Sequence, residues 1–204
     1  VDQTFNNATT GPADWLDKTF FKVEKPNAIK VIYNGTDSTN SWKLTKTSDI
    51  ADWKLDGGLP EGKELDTAQA PTSALSNPAF NDLANDAEKT ALDKNATQIK
   101  INTSEGFEYA LKVGDSTDGS DKIASVAITA NFPEKRTPAE NESAEDKKKL
   151  DEEWAAAQKT LQEKLASEQK FTQHAYRVSS YTVDAILKKR SELIKDEEKG
   201  AITP

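Results

Sequence analysis

Few residues in this 204-residue chain have types and spacings that could carry chemistry. The chain has no cysteine, which excludes disulfide bonds and thiolate chemistry. His174 is the single histidine, and its neighbours Gln173 and Ala175 supply neither an orienting acid nor a nucleophile. No glycine-rich phosphate loop, nucleophile elbow or zinc-protease motif occurs. We therefore expect no catalytic residues, no cofactor and a protein that is not an enzyme.

One loop combines acidic side chains with glycine. Asp115, Asp118 and Asp121 stand at the first, fourth and seventh positions of this loop. Because Ca²⁺ favours clustered carboxylates on flexible loops, these three aspartates are the candidate metal ligands. The loop is not followed by a glutamate at the EF-hand spacing, and Gly and Ser beside Asp are typical of plain hairpin loops. A hairpin loop without metal is therefore the favoured interpretation.

The charge balance disfavours nucleic acid and anionic membrane surfaces as partners. The formal net charge is −8, so long-range forces repel phosphate groups. The densest basic run, 188–190, is interpreted as the solvated face of a helix.

A phrase that occurs twice organises the chain. Residues 25–31 and 94–101 both contain an Ile-Lys-Val or Ile-Lys-Ile core, about seventy residues apart. Each copy is followed by a further alternating segment, at 41–46 and at 107–113, and such alternation is typical of strands. The repeat predicts a small antiparallel β-meander used twice.

A long charged helix is predicted late in the chain. Ser143 with Asp146 resembles a capping box, and the helix it opens runs from about Ala144 to about Lys170. Its narrow apolar stripe consists of Leu150, Trp154, Ala157, Leu161 and Leu165. Trp154 is the candidate partner-binding residue, since it either docks against the sheet or anchors a partner helix.

Shorter helices complete the prediction. Two are expected within 65–86, where prolines interrupt an Ala-rich stretch, and a C-terminal amphipathic helix is expected from Val183 to Ile194. Trp42 and Trp53 are expected to fill the core between sheet and helices. The predicted fold class is α+β, with two related antiparallel β-meander units packed with short helices, a long inserted charged helix and a C-terminal amphipathic helix.

The predicted organisation has four parts. They are a flexible lead-in (1–14), a first β-meander with helices (15–90), a second β-meander with the helical insertion 143–170 and the C-terminal helix (91–198), and a tail (199–204). At 204 residues, the two meanders can share one core.

The strand phrases resemble an uncharacterised bacterial envelope domain. The residues that carry the resemblance are 26–31, 41–44, 53–55, 99–101, 109–114, 176–178 and 181–183. This domain of unknown function recurs in proteins associated with gliding-motility-type ABC transporter auxiliary subunits. The long charged helix is similar to that of verrucomicrobial relatives. The likeness covers roughly residues 15 to 195, and it brings no functional residues with it.

The resemblance implies a location and partners. Its members are similar in having an N-terminal membrane anchor and an extracytoplasmic repeat region. It therefore implies a periplasmic-side module that meets the membrane only through a segment upstream of Val1. The chain starts at Val1 and contains no methionine, so we expect either a processed product, from which a signal peptide or membrane anchor was removed, or an expressed fragment. The partners that the resemblance implies are other envelope proteins, ABC transporter subunits among them.

Three functional hypotheses follow. The leading one is a non-catalytic extracytoplasmic interaction or scaffold module of a membrane-anchored protein. The alternative is a glycan or small-ligand binding module that uses Trp and Tyr side chains in the groove between the two β units. The third is a hydrolase that uses a pair of carboxylates, although no pair stands out among the 35 acidic residues.

Overall fold

The computed structural model describes residues 18–139 and 142–197, and its main element is an antiparallel sheet of eight strands. The strands are β1 (Pro26–Ile32), β2 (Trp42–Thr45), β3 (Lys54–Leu55), β4 (Lys63–Leu65), β5 (Asp82–Leu83), β6 (Thr97–Thr103), β7 (Phe107–Asp115), β8 (Lys122–Ala130), β9 (Ala175–Val178) and β10 (Ile194–Asp196). Across the large sheet the order is β3-β2-β1-β6-β7-β8-β9-β5, while β4 pairs with β10. The α-helices are α1 (Asp86–Asn95), α2 (Ala144–Glu168) and α3 (Ser180–Val183). The predicted lead-in 1–14 and tail 199–204 lie outside the described residues.

The two copies of the repeated phrase pair with each other in the middle of this sheet. In the antiparallel pair β1–β6, Ile29 faces Ile101 and Lys30 faces Lys100. The α+β fold class is confirmed, with both predicted meanders present. They are joined edge to edge by the backbone hydrogen bonds of this strand pair.

The core lies on one face of the sheet, as the alternation of side chains along the strands requires. The buried strand residues include Ile29, Val31, Leu44, Ile99, Ile101, Phe107, Tyr109, Leu111, Val126 and Ile128. Trp42 is also buried, and Trp53 packs partly buried against the same core, which confirms the prediction for these two tryptophans. Burial of each large apolar side chain contributes about 1.5–3 kcal/mol to folding.

The long helix α2 is confirmed, and it is inserted between two neighbouring strands, β8 and β9. Ser143 caps it by accepting a hydrogen bond from the backbone N–H of Asp146 at 3.1 Å. Leu161 and Leu165 of its C-terminal half pack against the core. Trp154 is partly exposed and lies outside that core, so its predicted docking against the sheet is not found.

A buried carboxylate attaches the C-terminal end of α2 to the sheet. Glu168 accepts hydrogen bonds from the Tyr109 hydroxyl at 2.8 Å and from the backbone N–H of Lys22 at 3.0 Å. Burial raises the pKa of the Glu168 carboxyl above its ordinary value of 4.5, although both hydrogen bonds oppose that rise. Ionised Glu168 is therefore held by neutral donors at a cost in desolvation.

The first helix begins later than the sequence predicted. Turns and β5 replace the two short helices expected within 65–86. Prolines in this stretch remove backbone donors, and Leu75, with a φ of 63°, accepts a hydrogen bond from the N–H of Val23. Helix α1 starts instead where Asn85 and Glu88 form a reciprocal capping box.

The predicted C-terminal amphipathic helix is replaced by one α-helical turn (α3), irregular chain and a 3-10 turn (Arg190–Leu193) that leads into β10. The carbonyl of Leu187 accepts a hydrogen bond from the Tyr33 hydroxyl, and the carbonyl of Lys188 accepts one from Trp42 Nε1 at 2.6 Å. These long-range donors satisfy carbonyls that a continuing helix would satisfy within itself. Val183, Ile186 and Leu193 are buried all the same, and Leu187 and Ile194 are partly buried, although no continuous helix carries them.

Replacement of Gly106 in the turn between β6 and β7 by alanine should lower the free energy of unfolding by about 3 kcal/mol. Gly106 has a φ of +91°, and a Cβ there would lie 2.5 Å from the carbonyl oxygen of Asn131. Gly119→Ala is the matched control, because Gly119 has a φ of +72° but open space around it, and it should cost about 1 kcal/mol. Urea unfolding measures both, and equal losses would contradict the steric part of this account.

The free energy of unfolding of the Glu168→Gln variant should increase relative to that of the parent protein as pH rises. The pKa of Glu168 is raised in the folded state, so the folded state binds the proton more tightly than the unfolded state does. The stability that this proton contributes to the parent protein is therefore lost as pH rises above 4.5. Glutamine keeps an oxygen for Lys22 and an amide for Tyr109 but never ionises. The measurement is the difference in unfolding free energy between the two proteins from about pH 4 to about pH 7. A difference that does not change with pH would contradict the raised pKa.

Candidate functional site

The outer face of the sheet carries a groove, here called the open-face groove. Its floor is formed by β1, β6, β7, β8 and the first residue of β9, and its sides by α1 and the segment 172–174. Its volume is about 460 Å³. That size falls within the range of roughly 300–1,000 Å³ that small-molecule sites occupy in proteins.

Small side chains make the floor of the open-face groove. Ala110 of β7 lies opposite Ala127 of β8, and in the next row Ser125 of β8 lies opposite Ala175 of β9. Because none of these side chains extends beyond a Cβ substituent, the sheet surface is low between the flanking elements. The depression therefore results from the choice of residues on three adjacent strands.

Lysines border the groove in a row that crosses the strands. Lys30 lies directly opposite Lys43 on one side and Lys100 on the other. Like charges in directly opposed positions destabilise a sheet, by about 0.2–1 kcal/mol per pair. Lys100 has a compensating partner in Glu108 at 2.8 Å. Neither Lys30 nor Lys43 forms an ion pair with any residue that the structure describes.

The groove is basic although the protein as a whole is acidic. Its described lining contains four lysines, Lys30, Lys89, Lys100 and Lys112, and one carboxylate, Asp93. Lys112 donates a hydrogen bond to Asp93 at 2.7 Å, which lowers the pKa of the Asp93 carboxyl. Against a net charge of −8, this concentration of lysine is a local reversal of sign.

Helix α1 forms one side of the groove by packing on the outer face of the sheet. Leu92 of α1 is buried against Ile123 and Ala175. Gly114 of β7 permits this approach, because a Cβ there would lie 3.3 Å from a Leu92 methyl carbon. The position of this side is thus fixed by close packing on the strands.

A buried ion pair holds α1 in place. Glu88, which is completely buried, accepts hydrogen bonds from Arg177 Nη2 at 2.8 Å and from the backbone N–H of Asn85 at 3.0 Å. Burial alone would raise the pKa of Glu88, but the hydrogen bonds from Arg177 and Asn85 outweigh it and leave the pKa below its ordinary value. Glu88 is therefore ionised at neutral pH, and α1 is tied to β9.

The candidate metal ligands have partners of opposite charge or other donors. Asp118 accepts a hydrogen bond from Arg177 Nη2 at 2.8 Å, and Asp121 lies 4.0 Å from Arg177 Nη1. Asp115 pairs instead with Lys122 at 2.6 Å. Hydrogen bonds from Arg177, Ser116 and Ser120 hold the pKa of Asp118 well below its usual range. Within the described part of the chain, no three histidine, cysteine, aspartate or glutamate side chains are grouped so that they could hold a metal ion.

The other residues singled out in the sequence have structural positions. His174 is exposed at the side of the groove. Its ring is perpendicular to that of Tyr176, and the two ring centroids are 6.3 Å apart. The basic run 188–190 is not a helix face. Its Arg190 donates hydrogen bonds to the carbonyls of Asp56 and Gly58 and so connects the C-terminal segment to the turn after β3.

Sequence reasoning missed Arg177 and the lysine row. Nothing in one sequence pairs Arg177 with Glu88, which is 89 residues away. The row did leave a signal, since Lys30 and Lys100 occupy the same place in the two copies of the repeated phrase. Pairing the copies with each other would have placed the two lysines side by side on one face.

No family model, curated protein or solved structure matches this chain. The resemblance to the envelope domain accordingly stays a prediction. Among the described residues, no helix is both long enough and apolar enough to cross a membrane. The physical chemistry of the open-face groove is therefore the basis on which a function is proposed.

Arg177→Met should lower the free energy of unfolding by about 3 kcal/mol at neutral pH, because it leaves the buried Glu88 carboxylate without its cation. Without Arg177, burial acts on Glu88 with less opposition and its pKa is higher than in the parent protein, so the variant recovers part of the loss as Glu88 is protonated at acidic pH. Asp118→Asn is the control. It removes the charge of the more exposed partner of Arg177 and keeps an oxygen that can accept hydrogen bonds from Ser116 and Ser120, so it should cost less than about 1 kcal/mol. Chemical unfolding at neutral and acidic pH tests this, and a loss independent of pH would contradict it.

Proposed function

We propose that this protein is a non-catalytic ligand-binding module and that the open-face groove is its binding site. The observation that carries the proposal is the coincidence of a concave surface with Lys30, which forms no ion pair in the described chain although it lies directly opposite Lys100. Groups that converge on a depression and are not satisfied within the fold are typical of ligand sites. The sheet itself gains nothing from opposed lysines.

The proposed mode of binding differs from stacking on aromatic rings. The aromatic residues of the strands, among them Trp42, Phe107 and Tyr109, are buried in the core on the opposite face. The described floor of the groove contains alanine, serine, Ile32 and Gln98 and is bordered by ammonium groups. Shape and charge, rather than ring stacking on neutral sugars, would therefore select the ligand.

Binding is favoured over carboxylate-based hydrolysis. Among the described lining residues Asp93 is the single carboxylate, and it is paired with Lys112. A glycosidase-type mechanism needs a second acid across the site, at about 5 Å or more from the first. We therefore propose a site that holds its ligand without transforming it.

The location and the second candidate function come from other features. The resemblance to the envelope domain supports an extracytoplasmic module, tethered upstream of Val1, with envelope proteins such as ABC transporter subunits as partners. An interaction or scaffold role is favoured by the N-terminal half of α2. There Leu150 is 37% exposed and Trp154 is partly exposed, so an apolar stripe faces outward from a charged helix.

The binding function is tested by amide NMR of the labelled protein with a set of small aromatic compounds, both neutral and charged. We expect shift changes to cluster on the strands of the groove. Ala127→Trp should abolish them, because its ring fills the floor while the backbone and core stay as they are. Thr129→Trp is the matched control, since Thr129 is exposed on the same strand and face but does not line the groove.

The free energy of unfolding of each variant shows whether a loss of binding comes from a blocked groove or from an unfolded protein. Both tryptophan variants alter exposed positions and should stay within about 0.5 kcal/mol of the parent protein. Shift changes that survive Ala127→Trp, or that map to α2 instead, would contradict the groove as the binding site. Changes on α2 would favour the interaction role.

A further inference from the structure

The groove also indicates the chemical class of its ligand, on the condition that it is the binding site proposed above. We infer that the ligand is a small amphiphilic anion. Its oxyanion group, a carboxylate, sulfonate or phosphate ester, is bound between Lys30 and Lys100. Its apolar body lies over Ala110 and Ala127.

The anionic end follows from the lysine row. Lys30 and Lys100 are directly opposed on adjacent strands, about 5 Å apart at the backbone, so both ammonium groups can reach one oxyanion. Lys43 continues the row on the far side of Lys30, and Lys89 adds positive charge from α1, whereas Lys112 is paired with Asp93. A bound anion relieves the repulsion within the row, which Glu108 relieves only at Lys100.

The apolar end follows from the row that continues from Lys100. Across the sheet, Lys100 faces Ala110, and Ala110 faces Ala127. Both alanines are exposed, so their methyl groups and the stems of the neighbouring lysines form an apolar surface. A ligand body placed there removes apolar area from water at about 25 cal/mol per Å².

The spacing of the strands bounds the size of the ligand. From Lys100 to Ala127 is two strand spacings, on the order of 10 Å. A body of one or two fused rings covers that length and fits a volume of about 460 Å³. Lysine ammonium groups act as point charges and bind any oxyanion. The site therefore selects a ligand by its charge and length rather than by one particular head group.

Two nearly isosteric probes separate charge from shape. 1-Naphthoate carries the carboxylate, and 1-naphthamide replaces it with a neutral amide of the same outline. Amide NMR titration of the full chain should show naphthoate shifting the groove signals with an affinity about tenfold higher than that of naphthamide, the effect of one charge-assisted contact. Acetate, which lacks the apolar body, should shift them only weakly, and added salt should weaken naphthoate binding.

The Lys30→Met variant tests whether the lysine row causes the preference for naphthoate, because methionine keeps an apolar stem but carries no charge. It should weaken naphthoate about tenfold and leave naphthamide unchanged. Lys54→Met is the control, since Lys54 is exposed on β3 and does not line the groove. The ligand-free Lys30→Met variant should melt no lower than the parent protein, because it removes a repulsion.

Equal binding of naphthoate and naphthamide, or a Lys30→Met variant that binds naphthoate at full strength, overturns the anion assignment while the groove remains the binding site. Groove signals that respond to none of the probes at millimolar concentrations overturn both the anion assignment and the proposed function. Lower stability of Lys30→Met without ligand would also count against the inference, since the lysine would then serve the fold.

Discussion

The antiparallel pairing of β1 with β6 is the constraint on which the rest of the structure depends. It joins the two meanders into one sheet and fixes which face of each strand is buried. Side chains alternate along a strand, so the register that sends Ile29 and Ile101 into the core sends Lys30 and Lys100 to the outer face together. A slip of one residue would bury charged lysines, which the fold cannot compensate. The lysine row is therefore a consequence of the same register that makes the core.

Two buried carboxylates then fix helical elements on opposite faces of this sheet. Glu88 ties α1 to the outer face through Arg177, and Glu168 ties the end of α2 to the inner face through Tyr109 and backbone N–H of Lys22. Their charges are satisfied differently, one by a cation and the other by neutral donors, and their pKa values move in opposite directions. The side of the groove is thus held by an ion pair, whereas the long helix is held by hydrogen bonds at a desolvation cost.

Most of the acidic charge of the protein lies away from the groove, and this separation of charge makes the groove basic. A net charge of −8 would keep anions at a distance, yet the outer face collects four lysines around a floor of small side chains. The lysine row opposes folding slightly, and a cost of that kind at a concave site is common where function rather than stability has selected the residues. The exposed stripe on α2 is a separate feature, since neither Leu150 nor Trp154 lines the groove.

By itself the sequence determined the local structure: the alternating strands, the capped helix from Ser143 and the repeat, each of which depends on neighbours only a few residues apart. It failed at the C-terminal segment, where the carbonyls of Leu187 and Lys188 accept hydrogen bonds from side chains about 150 residues away instead of from N–H groups of a helix. Tertiary structure alone decided that the two repeats pair, that Arg177 meets Glu88 and that small residues from three strands form one floor. The physical reason is that register and packing are set by contacts between distant segments, and one sequence carries the periodicity of each segment but not the partner it will meet.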